Sequence, residues 1–290
     1  MSFQTLGLCD ALLKAISKKG YTTPSPIQQK AIPKILDGRD VLASAQTGTG
    51  KTAGFTLPML QQFLANPAQH QGRRKIKSLI LTPTRELAAQ VLDDVKTYSE
   101  FTDLKSTVVF GGVNANPQIK TLRQGVDILV ATPGRLLDLH SQGVINFSGI
   151  QFLVLDEADR MLDMGFAIDM HTIATSCNNN RQNLLFSATL HHKELGRIKS
   201  TFTDPKYIEV NPSRQHPPQI VQQIILCDNK KHKEALIGAL IDEEKAQKVF
   251  IFCKTRVQCQ ELSNLLRYKK YRSACIHGEI PQSDRKQIMN

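Results

Sequence analysis

Short apolar runs that alternate with helical segments constrain the fold of this chain more than any other feature of its sequence. The runs are DVLASA (40–45), SLILT (78–82), STVVF (106–110), DILVA (127–131), FLVLD (152–156) and LLFSA (184–188). Between two of them, segment 85–101 repeats apolar residues at Leu87, Val91 and Val95, which predicts a helix with one apolar face. Strands that are apolar throughout and separated by helices predict a parallel sheet covered by helices on both faces.

A second α/β pattern follows a proline-rich stretch. Residues 211–219 (NPSRQHPPQ) hold three prolines and few apolar residues, which is typical of a linker. Beyond it, the expected strands are 220–226, 248–253 and 273–277, and the expected helices are 231–243 and 256–267. These are few elements for an independent α/β core, so we expect the second unit to be incomplete. The predicted domains are 1–208 and 220–290, with a linker at 209–219.

Composition excludes several classes of protein. Hydrophobic residues make up 41% of the 290, enough for a core, and no run approaches the ~18 apolar residues of a membrane span. The N-terminus has no basic start followed by an apolar run, so we expect no secretory signal. Six cysteines without a CxxC pair favour reduced thiols in a cytoplasmic protein over a zinc ribbon or a disulfide scaffold. The net charge of +11 indicates either a polyanionic partner or a well-solvated basic surface.

The strongest local signal is the segment AQTGTGKT (45–52), directly after the first predicted strand. It matches a phosphate-binding loop except that Ala45 replaces the first glycine. Glycines let backbone N–H groups surround phosphate oxygens, Lys51 supplies positive charge to the outer phosphates, and Thr52 offers a hydroxyl to Mg²⁺. A Gly-rich turn with an ordinary lysine is the weaker interpretation. The loop residues predicted to bind the nucleotide are Ala45, Thr47, Gly48, Thr49, Gly50, Lys51 and Thr52.

Two acids stand at the end of the predicted strand 152–156. Asp156 at a buried strand end can hold Mg²⁺ through water, and Glu157 can orient or deprotonate a water molecule. Alone, such a pair commonly marks only the end of a strand. Together with the loop at 45–52 it predicts hydrolysis of a nucleoside triphosphate. The predicted catalytic residues are Lys51, Asp156 and Glu157, and the predicted Mg²⁺ residues are Thr52 and Asp156.

Further motifs occur in a fixed order along the chain. They are Gly20-Tyr21 through PSPIQ (24–28), PTREL (83–87), Gly111-Gly112, TPGR (132–135), DEAD (156–159) and Ser187-Ala188-Thr189. On these motifs the chain resembles the DEAD-box ATP-dependent RNA helicases along nearly its whole length. The segments ASAQTGTGKTAGFTLP (43–58) and DEADRMLDMGF (156–166) are similar to the bacterial RhlE-like branch. The resemblance implies a RecA-like P-loop NTPase sheet, a linker and a truncated second RecA-like domain.

The resemblance also implies roles outside the phosphate loop. Gln28 is expected to read the adenine edge of ATP with both groups of its amide, while Phe3 packs on the ring. Asp159, with Ser187 and Thr189, is expected to couple hydrolysis to domain closure. The implied cofactors are ATP and Mg²⁺.

In the first unit, the residues that the resemblance assigns to RNA stand just after predicted strands. They are Pro83, Thr84, Arg85, Gly111, Gly112, Thr132, Pro133, Gly134 and Arg135. In the second unit the resemblance assigns Thr255, Gly278 and Arg285. Glycines let a sugar–phosphate chain approach, helix N-termini and hydroxyls bind phosphate, and arginine adds charge. Such contacts carry no base sequence, so the expected partner is single-stranded or duplex RNA bound through its backbone, and not a membrane.

One family motif is missing from the sequence. The arginine-rich HRxGRxGR segment does not occur before the chain ends at Asn290, and such arginines contribute ~10³–10⁵ in rate in related enzymes. We therefore expect ATP–Mg²⁺ binding with slow hydrolysis and no unwinding. A nucleotide-gated RNA clamp or chaperone is the alternative. A P-loop nucleotide kinase is a weaker one, because no segment resembles an acceptor-binding lid.

Overall fold

A seven-stranded parallel sheet forms the framework of the first of two compact units, Met1–Gln215 and His216–Asn290. The structure is a computed structural model that describes residues 2–66, 73–210, 221, 223–243 and 246–289. The strands are β1 Val41–Ser44, β2 Ser78–Leu81, β3 Ser106–Val109, β4 Ile128–Ala131, β5 Phe152–Asp156, β6 Gln182–Ser187 and β7 Lys206–Glu209. Their order is β3-β4-β2-β5-β6-β1-β7, and every pairing is parallel. The predicted parallel α/β architecture is confirmed.

Helices cover both faces of this sheet. They are α1 Asp10–Lys18, α2 Pro26–Leu36, α3 Lys51–Ala65, α4 Arg85–Tyr98, α5 Ala115–Gln124, α6 Pro133–Ser141, α7 Ala158–Asp163, α8 Ala167–Ser176 and α9 Leu195–Lys199, after a 3₁₀ helix at Phe3–Leu6. Successive strand residues enter different cores, because side chains alternate along a strand. Val154 belongs to the core beneath α1–α4, whereas Leu153 and Leu155 belong to the core on the opposite face. This double burial is why the strands are apolar at consecutive positions.

The strand β7 was not predicted from the sequence. Its burial alternates weakly: Ile208 is buried, while Tyr207 and Glu209 are exposed and Lys206 is half-buried. β7 pairs with β1 at one edge of the sheet, where charged side chains discourage further pairing. An edge strand with a single buried position lacks the continuous apolar run that marks the inner strands.

The second unit contains three helices within its described residues: α10 Lys230–Glu243, α11 Arg256–Tyr268 and α12 Gln282–Met289. The expected helices at 231–243 and 256–267 are confirmed. The expected strands at 248–253 and 273–277 are not formed, nor is any strand in the described part of 220–226. The side chains of Ile224, Phe250 and Phe252 are exposed, so these segments pack against too little to form a sheet.

The predicted linker at 209–219 and the prediction that no segment spans a membrane can be compared with the structure only over the described residues. Glu209 ends β7, and residues 211–219 of the linker lie outside the described residues. Across the part of the chain that the structure describes, no helix combines the length and the apolar content required to cross a membrane.

Phe186 provides a test of the packing on one face of the sheet. Its ring is fully buried on β6, and its centroid lies 5.3 Å from that of Phe55 on α3. We expect Phe186→Ala to lower the free energy of unfolding by ~3–5 kcal/mol because it removes a large buried side chain. Tyr207→Ala, at an exposed position of β7, is the matched control and should change it far less. Urea denaturation measures both, and equal losses would contradict the assigned core.

Candidate functional site

The turn between β1 and α3 carries the predicted phosphate loop. Ala45 is buried, and its N–H donates to the Ser187 carbonyl oxygen at 3.0 Å. Gly48 and Gly50 adopt left-handed φ angles of 82° and 87°, which favour glycine. Thr47 and Gly48 are exposed, and Thr49 is half-buried. The free N–H groups at the start of α3 therefore face an open loop, as anion binding requires.

Lys51 is the buried cation of this loop. Its side chain is the first of α3, it is 6% exposed, and Nζ donates to the Ala45 carbonyl oxygen at 3.0 Å. The ammonium thus closes the loop on itself with a neutral partner. A phosphate oxygen would offer a charged acceptor in exchange, and charge-assisted hydrogen bonds are the stronger kind. Thr52, the next residue, is half-buried at the same helix start.

Asp156 is a buried carboxylate at the end of β5. Its pKa is raised to about 7, chiefly by burial; the Lys51 charge lowers the pKa, and the neighbouring Glu157 charge raises it. The Glu157 N–H donates to its Oδ1 at 3.1 Å. A carboxyl group so costly to ionise fits a cation beside it, and Mg²⁺ prefers a few protein oxygens together with phosphates and water. Asp156, with the Thr52 hydroxyl, would hold this ion, whose charge would offset that of the phosphates.

Glu157 is held in an unusual backbone conformation. Its φ of 51° and ψ of 52° lie in the left-handed region, which costs a non-glycine residue about 1 kcal/mol or more. The side chain is largely buried, and Arg160 Nη1 donates to its Oε2 at 3.1 Å. Backbone and ion pair together fix the direction of this carboxylate. Arg160 was not predicted, although its i,i+3 spacing from Glu157, the residue that precedes α7, is a recognisable signal.

Asp159, Ser187 and Thr189 come together at the ends of β6 and β1. The Asp159 N–H donates to Ser187 Oγ at 3.1 Å, and its Oδ2 accepts from the amides of Ala188 and Thr189 at 3.1 Å each. Ser44 Oγ donates to the Ala188 carbonyl oxygen at 3.0 Å. A continuous hydrogen-bond network therefore connects the start of α7 to the base of the phosphate loop. The coupling role assigned to these three residues stays a prediction.

Gln28 uses both ends of its amide inside the protein. Its Oε1 accepts from the Ser25 N–H at 2.9 Å, and its Nε2 donates to the Gly50 carbonyl oxygen at 3.0 Å. A Cβ added at Gly50 would lie 2.4 Å from that Nε2, so only glycine permits this approach. Phe3 is 3% exposed within the core. Gln28 thus braces the phosphate loop, and the adenine contacts of both residues stay predictions.

The nine residues assigned to RNA in the first unit lie on segments that follow β2, β3 and β4. Two of their arginines converge on one loop. A Cβ added at Gly112, whose φ is 70°, would lie 2.1 Å from Arg85 Nη1, so the guanidinium fills the space beside this glycine. Arg135 Nη2 donates to the Val113 carbonyl oxygen at 3.2 Å, and its Nε lies 3.5 Å from Asp138 Oδ2.

The other residues of this set shape the same edge of the sheet. Thr84 caps α4 by accepting from the Leu87 N–H at 3.2 Å, and Pro133 is the first residue of α6. Pro83 and Thr132 are buried, while Gly134 has no neighbour within 4 Å of an added Cβ. Two helix N-termini and two arginines therefore surround an open backbone at Gly111-Gly112, an arrangement suited to a phosphate chain.

The two sets of residues divide the sheet. The phosphate-loop, Mg²⁺ and coupling residues follow β1, β5 and β6, whereas the RNA residues of the first unit follow β2, β3 and β4, which are neighbours at the other side. All strands are parallel, so both sets lie at the carboxyl edge, where ligands of open α/β sheets bind.

Three candidate RNA residues lie in the second unit. Thr255 caps α11, with its Oγ1 accepting from the Gln258 N–H at 3.2 Å. Gly278 is exposed in a turn, and Arg285 is on α12. An ion pair between Arg256 and Glu279 joins the start of α11 to the segment beside Gly278.

Histidines near β6 do not form a metal centre. His192 Nε2 lies 3.3 Å from Asp163 Oδ1, and within the described residues no three His, Cys, Asp or Glu side chains are placed to hold a metal ion. The Asp156 site is of another kind, because Mg²⁺ there would take most of its ligands from phosphates and water.

Comparisons with known proteins identify two family matches. The family model for DEAD/DEAH box helicases matches residues 25–198, and that for the helicase conserved C-terminal domain matches residues 231–290. ATP-dependent RNA helicase SrmB of Escherichia coli (strain K12) is 40% identical over 99% of this chain and 65% of its own length. DEAD-box ATP-dependent RNA helicase RhpA of Helicobacter pylori (strain 26695) is 38% identical over 98% of this chain and 56% of its own length.

A solved structure matches the whole chain as well. The crystal structure of a DEAD box protein from the hyperthermophile Methanococcus jannaschii aligns with a TM-score of 0.68 and 34% identity, covering 100% of this chain and 76% of that one. The chain spans about half to two thirds of the length of the curated relatives it matches.

The raised pKa of Asp156 makes a pH-dependent contribution to stability. An unfolded aspartate has a pKa of about 3.9, against about 7 in the folded chain. The folded state therefore binds this proton more tightly, and stability contributed by Asp156 is lost as the pH rises from about 4 to about 7. Without nucleotide or divalent cation, we expect Asp156→Asn to unfold like the wild type near pH 4 and to be more stable at pH 8. Denaturant unfolding at both values tests this, and a difference independent of pH would contradict it.

Proposed function

The chain belongs to the DEAD-box RNA helicase family, and on that premise we propose that it is an ATP-dependent RNA helicase core, of the kind that couples ATP binding and hydrolysis to RNA binding and local duplex unwinding. The observation that carries the proposal is the shared edge of the sheet. A phosphate loop with a buried lysine stands beside a buried acid there, and two arginines converge on the glycine loop of the neighbouring strands. Hydrogen bonds from the base of the loop through Ser187 to Asp159 give the nucleotide half a connected framework.

The residues assigned to ATP have four chemical tasks. The loop amides and Lys51 bind the phosphates, while Thr52 and Asp156 hold Mg²⁺ largely through water. Glu157 positions the attacking water, because its conformation and its Arg160 contact fix the carboxylate. Gln28 recognises adenine once the nucleotide enters, and its bond to Gly50 links that recognition to the loop.

The RNA half binds the sugar–phosphate chain rather than the bases. Arg85, Arg135 and the exposed Gly112 offer charge and an open backbone. Thr255, Gly278 and Arg285 contribute from the second unit. The proposed partner is therefore single-stranded or duplex RNA of many sequences.

The proposal has a finer level. We assign the chain to the RhlE-like branch on the segments 43–58 and 156–166, with a cytoplasmic location and domains at 1–208 and 220–290 joined by 209–219. We further propose that these 290 residues bind ATP but hydrolyse it slowly. The second candidate is a nucleotide-gated RNA clamp or chaperone without useful turnover.

Replacing Glu157 separates an enzyme from a clamp. Gln keeps the size of the side chain but cannot accept a proton, so we expect Glu157→Gln to lower RNA-stimulated hydrolysis by ~10²-fold or more while ATP and RNA affinities persist. Glu194→Gln, an exposed acid outside the site, is the control. Single-turnover hydrolysis of labelled ATP with and without RNA gives the sensitivity that a slow rate needs. A wild type whose hydrolysis RNA does not stimulate, with RNA affinity that ATP still controls, would favour the clamp.

Arg85 tests the RNA half. We expect Arg85→Ala to weaken binding about equally for RNAs of different sequence and to lower the slope of log affinity against log salt by about 1, since one phosphate contact is lost. Arg39→Ala is the matched control, because Arg39 precedes β1 at the opposite edge and pairs with Asp204. Fluorescence anisotropy over a salt series measures both. A loss confined to one RNA sequence, or an equal loss in the control, would contradict the assignment.

A further inference from the structure

Three cysteines of the second unit come together around α11. Cys259 lies on that helix, Cys253 precedes it and Cys275 follows it. Cys259 Sγ and Cys275 Sγ are 2.9 Å apart, and the Cys253 thiol also forms a hydrogen bond with Cys259. All three are free thiols, and the proposed function uses none of them.

The segments that carry Cys259 and Cys275 are held together by other contacts. Ser263 Oγ lies 3.1 Å from Ser273 Oγ, and Arg267 Nε donates to the Ser273 carbonyl oxygen at 2.8 Å. A disulfide bond measures about 2.05 Å, so bond formation requires the two sulfur atoms to move only about 0.9 Å closer. The pair is therefore positioned by the packing of α11 and not by a chance approach of two side chains.

Access to the two thiols differs. Cys259 is half-buried and, with Cys253, lines a cavity of about 320 Å³ beside Leu262 and Tyr271. Cys275 is only 6% exposed, and burial, together with the hydrogen bond that Cys275 donates to Cys259, raises its pKa to about 11. A small oxidant can reach Cys259 through the cavity, while Cys275, which does not line the cavity, stays a protonated thiol.

Metal binding is the other use of clustered thiols. Among the described side chains, no group of three His, Cys, Asp or Glu residues has the placement that a metal ion requires. Two thiols in near contact, with a third beside them, are suited to thiol–disulfide chemistry instead.

We propose that Cys259 and Cys275 are a modification site that forms a reversible disulfide when the protein meets a hydroperoxide. The Cys259 sulfur attacks one peroxide oxygen, so that an S–O bond forms and the O–O bond breaks. The hydroxide that leaves takes the proton of the Cys259 thiol and becomes water. The Cys275 sulfur then attacks the oxidised sulfur; the S–S bond forms, the S–O bond breaks, and hydroxide leaves as water with the Cys275 proton. The two thiols lose two electrons, hydrogen peroxide becomes two waters, and a dithiol reverses the bond.

The expected result of the bond is a more rigid second unit. It closes the chain between Cys259 and Cys275, which constrains the unfolded state and slows local opening. The oxidised protein should therefore resist proteolysis within residues 256–277 better than the reduced protein.

Peptide mapping tests the pairing directly, because trypsin separates the cysteines of this unit. Cys253 falls in peptide 249–254, Cys259 in 257–267, Cys275 in 273–285 and Cys227 in 215–230. The full 290-residue chain is treated with dilute hydrogen peroxide under native conditions, and the remaining thiols are alkylated. The protein is then digested, and the masses of the peptides are measured by mass spectrometry. We expect peptides 257–267 and 273–285 joined, with a mass two hydrogens below their sum, and their separation by dithiothreitol.

Variants make the assignment specific. Cys259→Ser and Cys275→Ser should each abolish the joined peptide and the gain in protease resistance, whereas Cys227→Ser, at an exposed cysteine of the same unit, should keep both. If Cys275→Ser unfolds the second unit, Cys259→Ser alone tests the pairing, because Cys259 is only half-buried. Three results would overturn the proposal. They are a dominant disulfide through Cys227 or Cys253, a disulfide between two chains, and a digest in which peptides 249–254, 257–267 and 273–285 are all still alkylated after oxidation.

Discussion

The amide of Ala45 donates a hydrogen bond to the carbonyl oxygen of Ser187, and two functional segments take their positions from this contact. It extends the β1–β6 pairing by one step beyond Ser44 and Ser187. The phosphate loop begins at Ala45, and at the end of β6 the Ser187 hydroxyl accepts a hydrogen bond from the Asp159 N–H. The phosphate loop and the DEAD segment are therefore both positioned by β1 and β6, so a shift of either strand would move both segments.

Opposite charges buried side by side explain the character of the nucleotide half. Lys51 and Asp156 both lie almost out of contact with water, where an uncompensated charge is costly. Each has a protein partner: Lys51 has the Ala45 carbonyl oxygen, and Asp156 has the Glu157 amide. Those hydrogen-bond partners are neutral dipoles, and the Lys51 charge only partly offsets the cost of ionising Asp156, so the site retains a demand for charged ligands of both signs. A nucleotide phosphate with a divalent cation, as proposed above, would meet that demand.

The extent to which the sequence predicts the structure differs between the two units. Six strands could be predicted because they place apolar residues at consecutive positions. Five of them are almost fully buried, and β3, at the edge of the sheet, still packs Val108 and Val109 against opposite cores. β7 could not, since only Ile208 is buried there. The strands predicted from the apolar runs at 248–253 and 273–277 are not formed, because an apolar run indicates a preference for burial and not the presence of a neighbouring strand to pair with.

The site shows the same division between local and long-range information. The phosphate loop and the DEAD segment are contiguous motifs, so their residues could be found from spacing alone. The bond from Gln28 to Gly50 and the approach of Arg85 to Gly112 join residues far apart in the chain, and only the fold brings them together.

The order of the strands has a consequence for how the protein is made. β1 carries the phosphate loop early in the chain, yet it lies between β6 and β7, and Val41 pairs with Leu184. Contacts so distant in sequence form late, because the intervening chain must first be closed into a loop. A ribosome therefore exposes residues 45–52 long before their supporting strand exists. The loop at 45–52 therefore gains its supporting hydrogen bond to Ser187 only after that residue has emerged.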